Sequence, residues 1–162
     1  MVGLVPALIV WRTDAVSVGW GLSGMLAIVP VVLGVALVTI GTALVAWTIA
    51  LFVREGRGTL APWDPTSRLV VHGPYRLVRN PMISGVLFVL LGEAALLGSL
   101  PLVVWFGLVA VANAVYMPLV EEPGLVRRYG PDYELYRASV PRWLPRLRSW
   151  EPAATDDVQP PP

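Results

Sequence analysis

The chain has 162 residues, of which 56% are hydrophobic and only 14% charged, and its mean hydropathy is +0.66. Ordinary soluble domains carry roughly 25% charged residues, so this composition places the chain in a membrane and limits it to one domain. The formal net charge of +1 gives no basic excess pointing to nucleic acid. The absence of cysteine excludes disulfides, thiolate metal sites and cysteine nucleophiles, and a single histidine excludes a multi-histidine metal cage.

Residues 1–11, Met1 to Trp11, form an apolar run that ends at Arg12-Thr-Asp14. A bilayer crossing needs about twenty residues, so this reads as a short, shallow or tilted membrane segment that can extend past Arg12. No small-residue cleavage site precedes the polar break, so the segment reads as retained. Val18 to Gly24 is a glycine-rich connection. From about Ser23 to Val53 the chain carries no charge, and the segment is longer than one crossing. It predicts one long tilted helix, kinked near Pro30 and projecting beyond the membrane. Gly34 and Gly41, seven apart, share a face that permits close helix contact.

Residues 54–80 form a polar loop with five arginines against two acids. A third apolar segment runs from Pro81 to about Gly98, interrupted by Glu93. After a turn at Gly98-Ser-Leu-Pro101, a fourth runs from about Leu102 to Val120 and contains Asn113 and Tyr116. From Glu121-Glu122-Pro123 onward the chain is charged, with Leu125, Tyr129, Tyr133, Tyr136 and Val140 approximating one helical face, broken near Gly130-Pro131. This predicts an interfacial helix pair, with Trp143 and Trp150 at headgroup level. Residues 151–162 are Pro-rich, lack an apolar pattern and are expected to be disordered. The predicted fold is therefore all-α: a polytopic membrane domain over residues 1–150 with about four transmembrane helices and a C-terminal interfacial region. Eleven of the twelve arginines lie in the 54–80 loop or after residue 120. The positive-inside rule makes that side cytoplasmic, and the N-terminus with it.

Polar chemistry concentrates in Leu69-Val-Val-His-Gly-Pro-Tyr-Arg-Leu-Val-Arg-Asn-Pro-Met-Ile-Ser-Gly85, at the edge of the third segment. Asn80 is predicted to N-cap a helix beginning at Pro81, whose positive end then faces Arg76 and Arg79 and attracts an anion. Each residue also has a plainer reading. Arg76 and Arg79 can anchor the interface, His72 can simply occupy the turn, and Glu121 and Glu122 can be solvated. The C-terminal tyrosines can be packing residues. Glu93 sits near the outer interface, and Asn113 can bond between helices, or either can face a substrate channel.

The pattern L-V-x-H-G-x-Y followed by R-x-P resembles the core motif of isoprenylcysteine carboxyl methyltransferases and the related phospholipid methyltransferases. Arg54-Glu-Gly-Arg-Gly-Thr59 with Pro62 and Pro65 is similar to the approach segment of bacterial members. Glu121-Glu122-Pro-x-Leu125, Arg128-Tyr-Gly-x-x-Tyr133-x-x-Tyr136 and Val140-Pro-Arg-x-x-Pro145 resemble their C-terminal signature. The resemblance implies a bacterial inner-membrane enzyme that uses S-adenosylmethionine and methylates a lipid-like or amphipathic acceptor. It implies His72, Gly73, Tyr75, Arg76, Arg79, Asn80, Pro81, Glu121 and Glu122 as cofactor residues, with Arg79, Asn80 and Glu122 positioning; Asn113 and Tyr116, read from their place in the fourth segment, are the candidates toward the acceptor. Gly56 and Gly58 match a short Gly-x-Gly associated with the cofactor. Where the family has Arg-His-Pro-x-Tyr, this chain has Arg79-Asn-Pro-Met-Ile83, which keeps hydrogen bonding at Asn80 but not proton transfer. An NADPH-dependent reductase of the sterol-reductase type and a catalytically degenerate membrane scaffold are the alternatives.

Overall fold

The computed structural model describes residues 3–55, 69 and 71–151, and these are helical with short connections. Six helices follow in order: α1 (Leu4–Thr13), α2 (Met25–Glu55), α3 (Pro81–Leu97), α4 (Leu100–Tyr116), α5 (Glu122–Tyr129) and α6 (Pro131–Ser139). The segments around Gly56 to Pro65 and the Pro-rich end beyond Glu151 lie outside the described residues.

The uncharged 23–53 stretch forms one helix, α2, of 31 residues with Pro30 inside it. Two stretches are long and apolar enough to cross a membrane, Met25–Arg54 and Leu100–Tyr129, with window hydropathies of 2.5 and 2.0. Only 11% and 6% of those windows is buried within the protein. A soluble core helix would be mostly buried, so these surfaces need lipid around them. The protein is a membrane protein. α3, at 17 residues, is a shorter apolar helix at the lower limit of a crossing. α1, at 10 residues, is shorter still and ends just past Arg12, as its sequence predicts.

Glycine sets the packing of α2 on α3. Gly34 faces Gly92 and Gly41 faces Gly85, so closely that a Cβ on Gly41 would lie 2.6 Å from the Gly85 carbonyl oxygen, and one on Gly92 2.8 Å from that of Gly34. The two pairs fix one antiparallel register, and one more seven-residue step along α2 reaches Thr48, which is fully buried. Lipid tails give no hydrophobic push between helices, so this close backbone approach supplies the contact instead.

At the end of α3 away from Arg79, the connection between α1 and α2 closes over the helix terminus. The Ser17 N–H donates to the Leu97 carbonyl (2.9 Å), and the Trp20 indole donates to that of Ala95 (3.1 Å). Gly98 takes the left-handed conformation (φ 56°) that ends α3 and turns the chain into α4.

Candidate active site at the start of α3

α4 does not stop at Val120. A π-turn over Met117–Glu121 continues it into α5, with the Glu122 N–H donating to the Met117 carbonyl five residues back. Pro118 and Pro123, which cannot donate backbone bonds, bracket this widened turn. The consequence is positional. In an α-helix Glu121 would follow Met117 on the same face; with one extra residue in the turn it is Glu122 that does. Met117 and Glu122 are both buried, at 5% and 4% exposure.

Glu122 binds three arginines. Its Oε1 accepts from Arg79 Nη1 (2.7 Å) and Arg142 Nε (2.7 Å), its Oε2 accepts from Arg142 Nη2 (3.0 Å), and Arg137 approaches to 4.0 Å. The Glu122 side chain is 6% exposed, Arg79 is 10% exposed and Arg142 28%. Hydrogen bonding to Glu122 holds the Arg142 guanidinium above its ordinary pKa. A buried carboxylate needs this many donors, because an unpaired charge in such a place is prohibitive.

Arg142 belongs to a C-terminal strap laid along the 76–79 segment. The backbone N–H of Arg79 donates to the Pro141 carbonyl (2.9 Å), Arg146 N–H to Leu77 (2.9 Å) and Trp150 N–H to Arg76 (3.0 Å). Beneath it Val71, Tyr133, Tyr136 and Val140 form a core against which Leu69, Leu125, Val126, Tyr129 and Trp150 pack. Trp150, expected at headgroup level, packs at a tilt against the Tyr136 ring with centroids 5.6 Å apart. The Tyr136 hydroxyl donates to the Tyr75 carbonyl (2.7 Å), and burial pushes its pKa up. Tyr133 is also raised, by burial first and the Glu122 charge next, against a hydrogen bond with Arg79.

Several of the expected residues are brought together, while His72, Arg76, Asn113 and Tyr116 lie apart and Asn80 departs from its expected capping role. Asn80 stands at the N-cap position, but its side chain makes no capping bond. The Ser84 N–H and hydroxyl instead donate to its carbonyl, both at 3.0 Å. Asn80 Nδ2 and Arg79 Nε are buried donors without acceptors among the described residues. Pro81, fully buried, starts α3 beside them. Tyr75 meets Phe52 edge-on at 5.8 Å, and its phenol is raised by burial and then by the charge of Glu121. Gly73 (φ 53°) presses on Trp47 and Leu51 of α2. Arg76 lies outward, with Nε donating to the Val71 carbonyl (3.4 Å) and Nη1 3.8 Å from Glu151; His72 is exposed at the turn.

Asn113 and Tyr116 are not in this cluster. Asn113 Nδ2 donates to the Val109 carbonyl of its own helix (2.8 Å) instead of bridging helices, and Tyr116 is 51% exposed on α4. Arg142 was the residue to add: its sequence signal was the unpaired acid pair itself, which, once buried, demands more cations than Arg79 supplies.

The model of the phospholipid methyltransferase family matches residues 29–132, more than half of the chain. The chain belongs to the phospholipid methyltransferase family. No curated protein and no solved structure gives a significant match. A phospholipid methyltransferase transfers methyl groups to a lipid-like substrate, which agrees with the apolar surfaces of α2 and α4. The matched residues include Arg79, Asn80, Glu121 and Glu122 and stop short of Tyr133 and Arg142.

Proposed function

We propose that the protein binds S-adenosylmethionine at the start of α3 and methylates a lipid-like or amphipathic acceptor at the arginine-rich membrane face, cytoplasmic by the positive-inside rule. The observation that carries this reading is the pair of adjacent buried donors, Arg79 Nε and Asn80 Nδ2, that have no acceptor among the described residues. Buried polar groups are normally paired, so two unpaired donors at a helix start ask for an anion. The residues fit the donor molecule's charges. Arg79, Asn80 and the first amides of α3 suit its carboxylate. Glu121, which no hydrogen bond or ion pair engages among the described residues, suits its ammonium or ribose hydroxyls. The Tyr75 and Phe52 rings offer a flat apolar wall for adenine.

When bound, the cofactor supplies an electrophilic methyl group on a sulfonium. The chain supplies position and desolvation. Glu122 fixes Arg79 through Nη1, and the strap is bonded along residues 76–79 beside it. A carboxylate acceptor needs no base. An amine acceptor must lose a proton, and Glu121 is the carboxylate placed to hold it. The family match favours methyl transfer over the nicotinamide-dependent reductase.

The test is calorimetric titration of the detergent-solubilised protein with S-adenosylhomocysteine, beside Arg79→Ala, Asn80→Ala and Glu121→Gln. Saturable binding that weakens at least tenfold in the first two is expected. Asn80→Ala should leave thermal stability unchanged, because its side chain caps nothing. Binding untouched by either variant would remove the site from the start of α3. No binding by folded parent protein, with NADPH titrated in parallel, would refute the function.

A further inference from the structure

The strap from Pro141 to Trp150 combines two properties that do not belong together on a water-facing surface. It is fixed, through the three backbone hydrogen bonds to residues 76–79 and through Arg146 Nη1 donating to the Ser139 carbonyl (2.6 Å). Yet two large apolar side chains on it point away from the protein, Leu144 at 80% exposure and Leu147 at 103%. They are interleaved with Arg142, Arg146 and Arg148, and no acid occurs between Ser139 and Trp150. Arg142 is held by Glu122 and Arg146 by Ser139, which leaves the exposed Arg148 beside the leucines.

The strap's position follows from what it is bonded to. Residues 76–79 lead directly into Pro81, where apolar α3 begins, so the strap lies at the boundary of the apolar layer on the side of the candidate site. Exposed leucines alternating with arginine at that level match an interfacial anchor, with apolar groups below the headgroups and cations among their phosphates.

We propose that residues 143–148 dock on the anionic lipid surface of the adjacent leaflet, with Leu144 and Leu147 entering the acyl boundary and Arg148 pairing with lipid phosphate. The same strap carries Arg142 to Glu122 and bonds the backbone of Arg79. The proposal concerns a surface and does not depend on the methyl-transfer reading.

The chain contains no cysteine, so a single introduced thiol can be labelled cleanly. Leu147→Cys, at a fully exposed position, is labelled with an environment-sensitive fluorophore in the full-length protein. It is reconstituted in vesicles of phosphatidylcholine alone or mixed with phosphatidylglycerol. The expected result is blue-shifted emission quenched by lipids spin-labelled near the headgroup, stronger in the anionic vesicles. Adding Arg148→Ala should lower the inserted-to-free ratio about fivefold in anionic vesicles, the effect of one basic residue near such a surface. Water-like emission without lipid quenching would overturn the proposal. Blue-shifted emission that lipid quenchers do not reach would also overturn it, since protein rather than lipid would then cover the strap. Equal quenching in both vesicles would overturn the anionic preference.

Discussion

Glu122→Ala is the perturbation whose cost the structure specifies best. The carboxylate is 4% exposed and accepts two bonds of 2.7 Å and one of 3.0 Å from two arginines. Its loss does not affect those arginines equally. The Arg142 side chain, 28% exposed, can turn toward water, whereas Arg79, 10% exposed and already lacking an acceptor at Nε, cannot. Removing one partner of a buried pair costs about 3–5 kcal/mol, and most of that cost falls on stranded Arg79. Arg142→Ala leaves Glu122 bonded to Arg79 and should cost only about 1–3 kcal/mol. Combining Arg79→Met with Glu122→Ala removes the stranded charge, so the double variant should be more stable than Glu122→Ala alone. The assay is unfolding in mixed micelles of increasing denaturing-detergent fraction, followed by circular dichroism. A Glu122→Ala cost under about 1 kcal/mol, or a double variant as weak as the sum of the singles, would refute the assignment of the penalty to Arg79.

Further outcomes follow from other parts of the molecule. Gly41→Ala places a Cβ 2.6 Å from the Gly85 carbonyl oxygen and should lose about 1–3 kcal/mol in the same assay. Gly107→Ala, with nothing within 4 Å, should be neutral or gain up to about 1 kcal/mol from helix propensity. Burial raises the phenols of Tyr75, Tyr133 and Tyr136, so the unfolded chain releases these protons first; stability is complete below the free phenol value of about 10 and falls as pH rises through it. Absorbance titration should show the three ionising only above that range, and Tyr136→Phe should cost about 1–2 kcal/mol by leaving the Tyr75 carbonyl without its donor. Deleting exposed Leu119 together with Pro118→Ala should convert the π-turn to α-helix while keeping Glu122 in line with Met117. Stability near that of the parent is expected, whereas deleting Leu119 and a second residue of the turn should expose Glu122 and abolish the Arg79 pairing.

The parts legible in the sequence were those set by local pattern. The charge-free 23–53 stretch could only be one long helix or two short ones, and the seven-residue spacing of Gly34 and Gly41 gave the face that meets α3. Gly130-Pro131 marked the break between α5 and α6, and the expected meeting of the 69–85 stretch with the acids after α4 is seen in the Arg79–Glu122 pair. What sequence could not give depended on contacts distant along the chain. Asn80 has an ideal capping side chain, but it makes no cap bond and its amide nitrogen is buried instead. Arg142 pairs with Glu122 only because the strap returns to residues 76–79 after two helices. Asn113 satisfies itself within one helix, a choice that composition does not distinguish from bonding across helices.

The doublet Glu121-Glu122 shows how a backbone irregularity divides labour between identical residues. From sequence the two acids are interchangeable, and an unbroken α-helix would have turned Glu121 toward the arginines. The π-turn over Met117–Glu121 advances the register by one residue and gives that place to Glu122. Glu122 is engaged there by Arg79 and Arg142. Glu121, half-buried and close enough to raise the Tyr75 phenol, makes no hydrogen bond or ion pair among the described residues. A site that must hold a molecule bearing both a carboxylate and cations needs a fixed arginine and a free acid side by side. Two adjacent glutamates on a regular helix point about 100° apart and can meet that need only if the right one faces inward. The π-turn makes that selection, and for this reason the irregularity belongs to the site and not merely to the helix that carries it.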